Sequence, residues 1–195
     1  MSNIYTASAS ASVSATATGT ARASGNTPEG ALNSANKAAL NAAIYSLINL
    51  DAPPPEQHTC EQFCLSCIDF RFVDDLSNYQ GIKGNVNNYD QFVLAGASLG
   101  YNGIPNYENW ILACDQTIEL SHDLHEISQV SLFDHLECGA YKLVYTPEQL
   151  EGDGELKLHV ENLNKAEKTI LKKYPFVKKV NKYIFDLSYN AIPIP

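Results

Sequence analysis

From Thr6 to Ser24 the chain alternates with a period of two: Thr, Ser or Arg22 occupies every even position, and Ala, Val13 or Gly19 every odd one. On an extended backbone this puts hydroxyls on one face and small apolar groups on the other. Held for nineteen positions, such a strand would reach about 60 Å at about 3.3 Å per residue, beyond the usual length of a strand inside a domain. Its unpaired edges leave two readings open. One is a low-complexity tail in solvent; the other is a strand that pairs between subunits, building an assembly or filament through residues 6–24.

The period then becomes helical. Thr27, Pro28 and Glu29 supply an N-cap, a proline at the first helical position and an early acid. Ala39, Leu40, Ala43, Ile44 and Leu47 follow at helical spacing, predicting a helix over 31–50 that stops before the stiff Asp51-Ala52-Pro53-Pro54-Pro55. Further on, short apolar runs predict strands at 63–72, 91–97, 129–133 and 180–188. Amphipathic runs between them predict a helix over 107–120, with Trp110, Ile111, Cys114 and Ile118 inward. A second helix is predicted over 155–174, with Leu156, Val160, Leu163, Ile170 and Leu171 inward. Strands alternating with helices make this an α/β fold, a mostly parallel sheet flanked by helices. The chain divides into an alternating tail (1–26), a helical arm with a proline-rich linker (27–58) and an α/β core (59–195).

With 45% hydrophobic and 18% charged residues among 195, the chain can bury a core. A net charge of −9 argues against a nucleic-acid partner. Lys172, Lys173, Lys178, Lys179 and Lys182 form a local basic face, read as a solvated helix end and strand edge. No apolar run reaches membrane-spanning length, and the N-terminus lacks the basic start and apolar core of a signal peptide. A soluble intracellular protein is expected, with export by another route left open. Five cysteines, an odd number, favour a reducing compartment over a disulfide framework.

Candidate chemistry is concentrated in Cys67-Ile68-Asp69-Phe70-Arg71 and His135-Leu136-Glu137-Cys138-Gly139. Cys67, His135 and Cys138 offer two thiolates and an imidazole, the ligand types that suit zinc, and three ligands leave a fourth tetrahedral position for water or substrate. On a strand, Cys67, Asp69 and Arg71 share a face. His135 would leave the end of the 129–133 strand and Cys138 would open the next turn, where a helix N-terminus favours its thiolate. Both halves then lie beyond carboxyl ends of strands in an open sheet, the usual place for a site.

The pair C-x-D-x-R and H-x-x-C-G resembles the motifs of β-class carbonic anhydrases. The resemblance covers roughly residues 60–190 in order of elements, and it is close only at the motifs. It implies that Cys67, His135 and Cys138 bind Zn2+ and that Asp69 and Arg71 form the catalytic dyad. Arg71 would hold the Asp69 carboxylate, which either accepts a hydrogen bond from zinc-bound hydroxide or, in a closed form, becomes the fourth ligand. The substrate pair implied is CO2 and bicarbonate, and N-terminal helices that commonly cross a dimer partner imply a homodimer or larger homo-oligomer. Leu94-Ala95-Gly96-Ala97-Ser98 falls where the family has a small-residue turn. Phe70 departs from the family's usual Ser, and the turn departs from its Asn-containing form. The chemistry implied is hydrolytic: a zinc-bound water, its pKa lowered from about 15.7 toward about 7, yields a hydroxide that attacks an electrophilic carbon. Two thiolates already cancel the zinc charge, which makes help from the dyad more important.

Cys60, Cys64 and Cys67 also spell C-x3-C-x2-C, a spacing that resembles the radical S-adenosylmethionine enzymes. Too little chain follows for their partial barrel, and the reading leaves His135 and Cys138 unexplained. Cys60 and Cys64 are therefore read as packed or free thiols, and Cys114 as a core residue. His122 and His125, after the 107–120 helix, are candidate proton shuttles or merely exposed. The leading reading is a zinc-dependent carbonic anhydrase. Its alternatives are an assembly or fibre-forming protein on the same fold, a hydrolase of carbon disulfide or carbonyl sulfide, and a protein whose zinc is purely structural.

Overall fold

Gln62–Cys67 forms β1 in the computed structural model, which describes residues 58–195. The alternating tail over 6–24, the helix expected over 31–50 and the proline linker lie outside the described residues. β1 stops at Cys67, five residues short of the run expected over 63–72. The Asp69 carboxylate accepts the Arg71 N–H at 3.0 Å and caps a 3-10 turn over Phe70–Phe72, which feeds helix α1 (Val73–Ile82). A local side-chain cap thus outcompetes the strand. Asp69 and Arg71 meet through that turn and not by sharing a strand face.

β2 (Tyr89–Leu94) is shorter than expected as well. Gly96 and Ala97 take φ of 75° and 41° and turn the chain into the short helix α2 (Ser98–Asn102). Helix α3 (Asn109–His125) runs on past the expected end and stops where Glu126 adopts a left-handed conformation. Cys114 and Ile118 are buried along it as expected. β3 spans Gln129–His135, so His135 is the strand's last residue and does not lie beyond it. Short helices α4 (Tyr141–Val144) and α5 (Pro147–Leu150) lead to the long α6 (Gly154–Lys173). β4 (Lys179–Phe185) follows, then β5 (Ala191–Ile194), a hairpin partner that the sequence did not announce.

The sheet order is β2-β1-β3-β4-β5, with parallel pairing throughout except β5, which runs antiparallel to β4. Alternation along the strands sorts the core onto two faces. Phe63, Leu65, Val130, Leu132 and Ile184 pack with Ile118 of α3 and Leu163, Ala166 and Ile170 of α6. Cys64, Phe133 and Phe185 pack with Phe72 and Leu76 on the other face. Full burial of each large apolar side chain contributes about 1.5–3 kcal/mol.

The apolar stripe of α6 is rotated from the expected one. Leu156 and Leu171 are 41% and 42% exposed, whereas His159, Leu163, Ala166 and Ile170 face inward. The rotation follows from an ionic partner: His159 Nδ1 lies 2.8 Å from Asp134 Oδ2, deep in the core. Among the described residues, no helix is long and apolar enough to cross a membrane.

Candidate metal centre

Parallel pairing sets the carboxyl ends of β1 and β3 side by side, and with them Cys67 and His135. The loop after β3 brings Cys138 back, with Glu137 in a left-handed conformation at φ 56°. One ligand atom from each of Cys67, His135 and Cys138 lies within 4.8 Å of the others. The two Sγ atoms are 3.9 Å apart, close to the roughly 3.8 Å set by two Zn–S bonds of about 2.3 Å at a tetrahedral angle.

His135 carries the strongest sign of an absent partner. Its ring is 1% exposed and stacks on Phe72 with centroids 4.5 Å apart. Nδ1 lies 2.9 Å from the Leu136 carbonyl, to which it donates, leaving the lone pair on Nε2. That Nε2 is buried with no hydrogen-bond partner among the described residues. A buried acceptor in this state costs about 1–3 kcal/mol unless something fills the need. Two thiols and this nitrogen form a donor set that fits zinc.

The three groups perturb one another's proton affinities. The Cys138 thiol, hydrogen-bonded to Cys67, holds Cys67 well below the ordinary thiol range, and Cys138 is pushed up in turn. Burial works against a charged His135, but the Cys67 thiolate, the Leu136 carbonyl and Asp69 outweigh it and raise its pKa. The Gly96 N–H also donates to Cys67 Sγ at 3.3 Å. No side chain fits easily at Gly96: its φ is +75°, and a Cβ there would sit 2.9 Å from the Ala140 Cβ.

Asp69 stands just outside the three-ligand group. Arg71 grips it with both arms of its guanidinium, Nε to Oδ1 at 3.0 Å and Nη2 to Oδ2 at 2.8 Å, and also reaches the Glu137 carbonyl at 3.2 Å. The Arg71 hydrogen bonds hold the Asp69 carboxyl below its usual range. Beside the group opens a cavity of about 240 Å³ whose lining includes Cys67, Phe72, Val93, Phe133, His135 and Phe185. Ile68, Phe70 and Val73 are exposed nearby, Phe70 by 86%.

A second layer escaped the sequence reading. Asp134, next to His135 and 1% exposed, accepts from the Ser98 N–H, the Ser98 hydroxyl, the Tyr141 hydroxyl and His159. Glu155 accepts the Cys138 N–H at 3.0 Å. These bonds tie α2, the loop carrying Cys138 and α6 to the end of β3. The signal was present: a carboxylate inside an apolar strand and a histidine on a helix's inner face each require a partner. The four-residue α4 after Cys138 is too short to supply the helix dipole expected there.

The remaining candidates fall elsewhere. Cys64 is buried and accepts from Gln80 Nε2 at 2.7 Å, and Cys114 is in the core. Cys60 lies at the other end of β1 from Cys67, so the three thiols of the C-x3-C-x2-C run do not converge. His122 stacks on Phe176 at 3.9 Å and His125 pairs with Asp90, both at the amino ends of the strands, away from Cys67 and unsuited to shuttle protons there. Lys182, counted in the basic face, is 6% exposed and bonded to Glu167 and Asn164.

No family model matches the chain. Among solved structures, a variant of the β-carbonic anhydrase CafD of Aspergillus fumigatus is 13% identical, with a TM-score of 0.45, covering 74% of this chain and 94% of that one. A tetrameric β-carbonic anhydrase of Sordaria macrospora is 15% identical, with a TM-score of 0.44, covering 84% and 94%. Sequence relatives are nearer. An uncharacterized protein of Rickettsia conorii is 38% identical over 115 residues, 58% of this chain and 61% of the relative. An uncharacterized protein of Rickettsia bellii is 39% identical over 115 residues, again 58% of this chain, and the match takes in 70% of that relative. The chain belongs to the same protein family as this Rickettsia bellii protein.

Proposed function

We propose that the chain is a zinc-dependent carbonic anhydrase that hydrates CO2 to bicarbonate, with Cys67, His135 and Cys138 as metal ligands and Asp69 and Arg71 as the catalytic dyad. The observation that carries this reading is the buried, unpartnered Nε2 of His135 beside two thiols, with an Arg71-clamped carboxylate 3.7 Å away. When bound, zinc supplies a Lewis acid that brings the pKa of a water from about 15.7 to about 7. The chain's residues do the rest. Arg71 keeps Asp69 ionised and oriented, with its Oδ2 3.7 Å from His135 Nε2, so the carboxylate would serve as the hydrogen-bond acceptor that orients a nucleophile at the ligand group. The neighbouring cavity, walled largely by Phe72, Val93, Phe133 and Phe185, suits a small apolar molecule such as CO2 and disfavours a charged one. Glu155 and the Asp134 network hold the Cys138 loop and the end of β3 in register.

Metal analysis with stopped-flow CO2 hydration tests the reading. Zinc with fast hydration is the expected result. Zinc with turnover of carbonyl sulfide or carbon disulfide alone moves the function to those substrates, zinc with no turnover makes the metal structural, and absence of zinc overturns the proposal.

The alternation over residues 6–24 supports a further layer, assembly of subunits into a large homo-oligomer by strand pairing. Exposed Ile68, Phe70 and Val73 beside the site suit a subunit contact. Removing residues 1–26 is expected to reduce particle size in light scattering; an unchanged size removes the idea.

A further inference from the structure

A second convergence of metal-binding side chains lies at the opposite end of the sheet. Cys60 precedes β1, Asp90 is near the start of β2 and pairs with Phe63, and His125 is the last residue of α3. The length of β1, about 17 Å at about 3.3 Å per residue, separates this group from Cys67. One ligand atom from each of Cys60, Asp90 and His125 lies within 4.8 Å of the other two. We propose that Cys60, Asp90 and His125 form a second site for zinc or a similar borderline divalent cation, distinct from the Cys67-His135-Cys138 group.

The ligand chemistry points to that class of ion. A thiolate, an imidazole and one carboxylate suit zinc, whereas magnesium and calcium require oxygen ligands. Three protein ligands leave a fourth position to water, and half-exposed His125 and Asp90, at 37% and 25%, give the ion a way in. Position adds to this. The carbonyl end of the seventeen-residue α3 meets the group, and a helix C-terminus favours a cation. The backbone holds the ligands before any ion arrives, because the Cys60 N–H donates to the His125 carbonyl at 2.9 Å. Cys60 Sγ meets the Gln62 carbonyl at a distant 3.7 Å, and burial together with the neighbouring Asp90 raises its thiol pKa to about 11, so a cation is what would hold it as a thiolate.

His125 Nδ1 and Asp90 Oδ2 are 2.8 Å apart and share a proton. Two ligands on one zinc at about 2.0–2.1 Å stand roughly 3.3 Å apart, so the ion replaces that proton with a small outward shift of the pair. Nδ1 then coordinates, the imidazole proton resides on the exposed Nε2, and the Cys60 thiol releases its proton to solvent.

All five cysteines and all five histidines of the chain lie within the described residues, so residues 1–57 add no thiol or imidazole ligand. The test is zinc and cobalt(II) stoichiometry of the full chain after chelation and dialysis, with the thiolate-to-cobalt absorption as a second readout. Two equivalents per chain are expected for the native protein, falling to one in Cys60→Ser and in His125→Ala, with unchanged far-UV circular dichroism. Cys60→Ser is nearly isosteric and half-exposed, so it keeps the result interpretable if His125→Ala misfolds. One equivalent in the native chain and none in Cys60→Ser also supports this site, while counting against the Cys67 group. Two equivalents retained in Cys60→Ser, or one equivalent in both proteins, overturns the proposal.

Discussion

Asp69 Oδ2 lies 3.7 Å from His135 Nε2, at the edge of the Cys67-His135-Cys138 group. Arg71 fixes the carboxylate from behind through two hydrogen bonds. Asp69→Asn keeps the size and the capping oxygen of the residue but loses the charge. The variant is expected to retain zinc and to lose about 10²-fold or more in CO2 hydration. Unchanged turnover in stopped-flow measurements removes Asp69 from the mechanism.

Gly96 is expected to be intolerant of any side chain. Ala there meets the Ala140 Cβ at 2.9 Å and must hold φ near +75°, which costs on the order of 1–3 kcal/mol. It also displaces the N–H that donates to Cys67 Sγ. Gly96→Ala should therefore lower the thermal midpoint and weaken zinc retention against a competing chelator. Native retention in the variant removes the role of this turn.

His159 gives the fold a pH dependence of its own. Burial opposes its charge, but Asp134 and Glu155 outweigh it and raise the imidazole from 6.5 to about 9. A raised pKa contributes stability that is complete below the unfolded value and fades as pH rises from about 6.5 through about 9. The contribution is on the order of 3 kcal/mol. The stability difference between the native chain and His159→Gln should therefore shrink from pH 6 to pH 9.5, as followed by denaturant unfolding with zinc saturating. A difference that stays constant shows that folding leaves the His159 pKa where it was, and one that grows with pH shows that the ring is buried neutral.

Zinc affinity itself should fall on acidification. Cys67, Cys138 and His135 must all be free of protons at the ligand atoms to bind, and interactions within the group raise Cys138 and His135. Competition with a chelator of known pH dependence measures this. A pH-independent affinity between pH 5.5 and 8 contradicts thiolate and imidazole ligation.

Much of the core was legible in the chain, because buried strands and helices carry their period locally. The run over 129–133 read directly as β3, and the inward Cys114 and Ile118 of α3 were placed correctly. Errors fell where a side chain far along the chain, or a local cap, reset the pattern. The Asp69 cap ended β1 early, and Asp134 turned His159 inward and left Leu156 and Leu171 exposed. β5 was missed because its partner is β4 of the hairpin, held by the Asp186 carboxylate accepting the Ser188 and Asn190 N–H groups at 2.8 Å.

Residue type and spacing alone singled out Cys67, Asp69, Arg71, His135 and Cys138, since thiols, imidazole and an acid–base pair announce their chemistry whatever surrounds them. Packing decided how they meet. Parallel pairing of β1 with β3 brought Cys67 beside His135, and a turn, not a strand face, joined Asp69 to Arg71. Packing also assembled what spacing could not foretell: the Asp134 network, and the Cys60-Asp90-His125 group drawn from three distant segments. Such groups depend on register and helix rotation, which are set by contacts across the whole core and have no local signature.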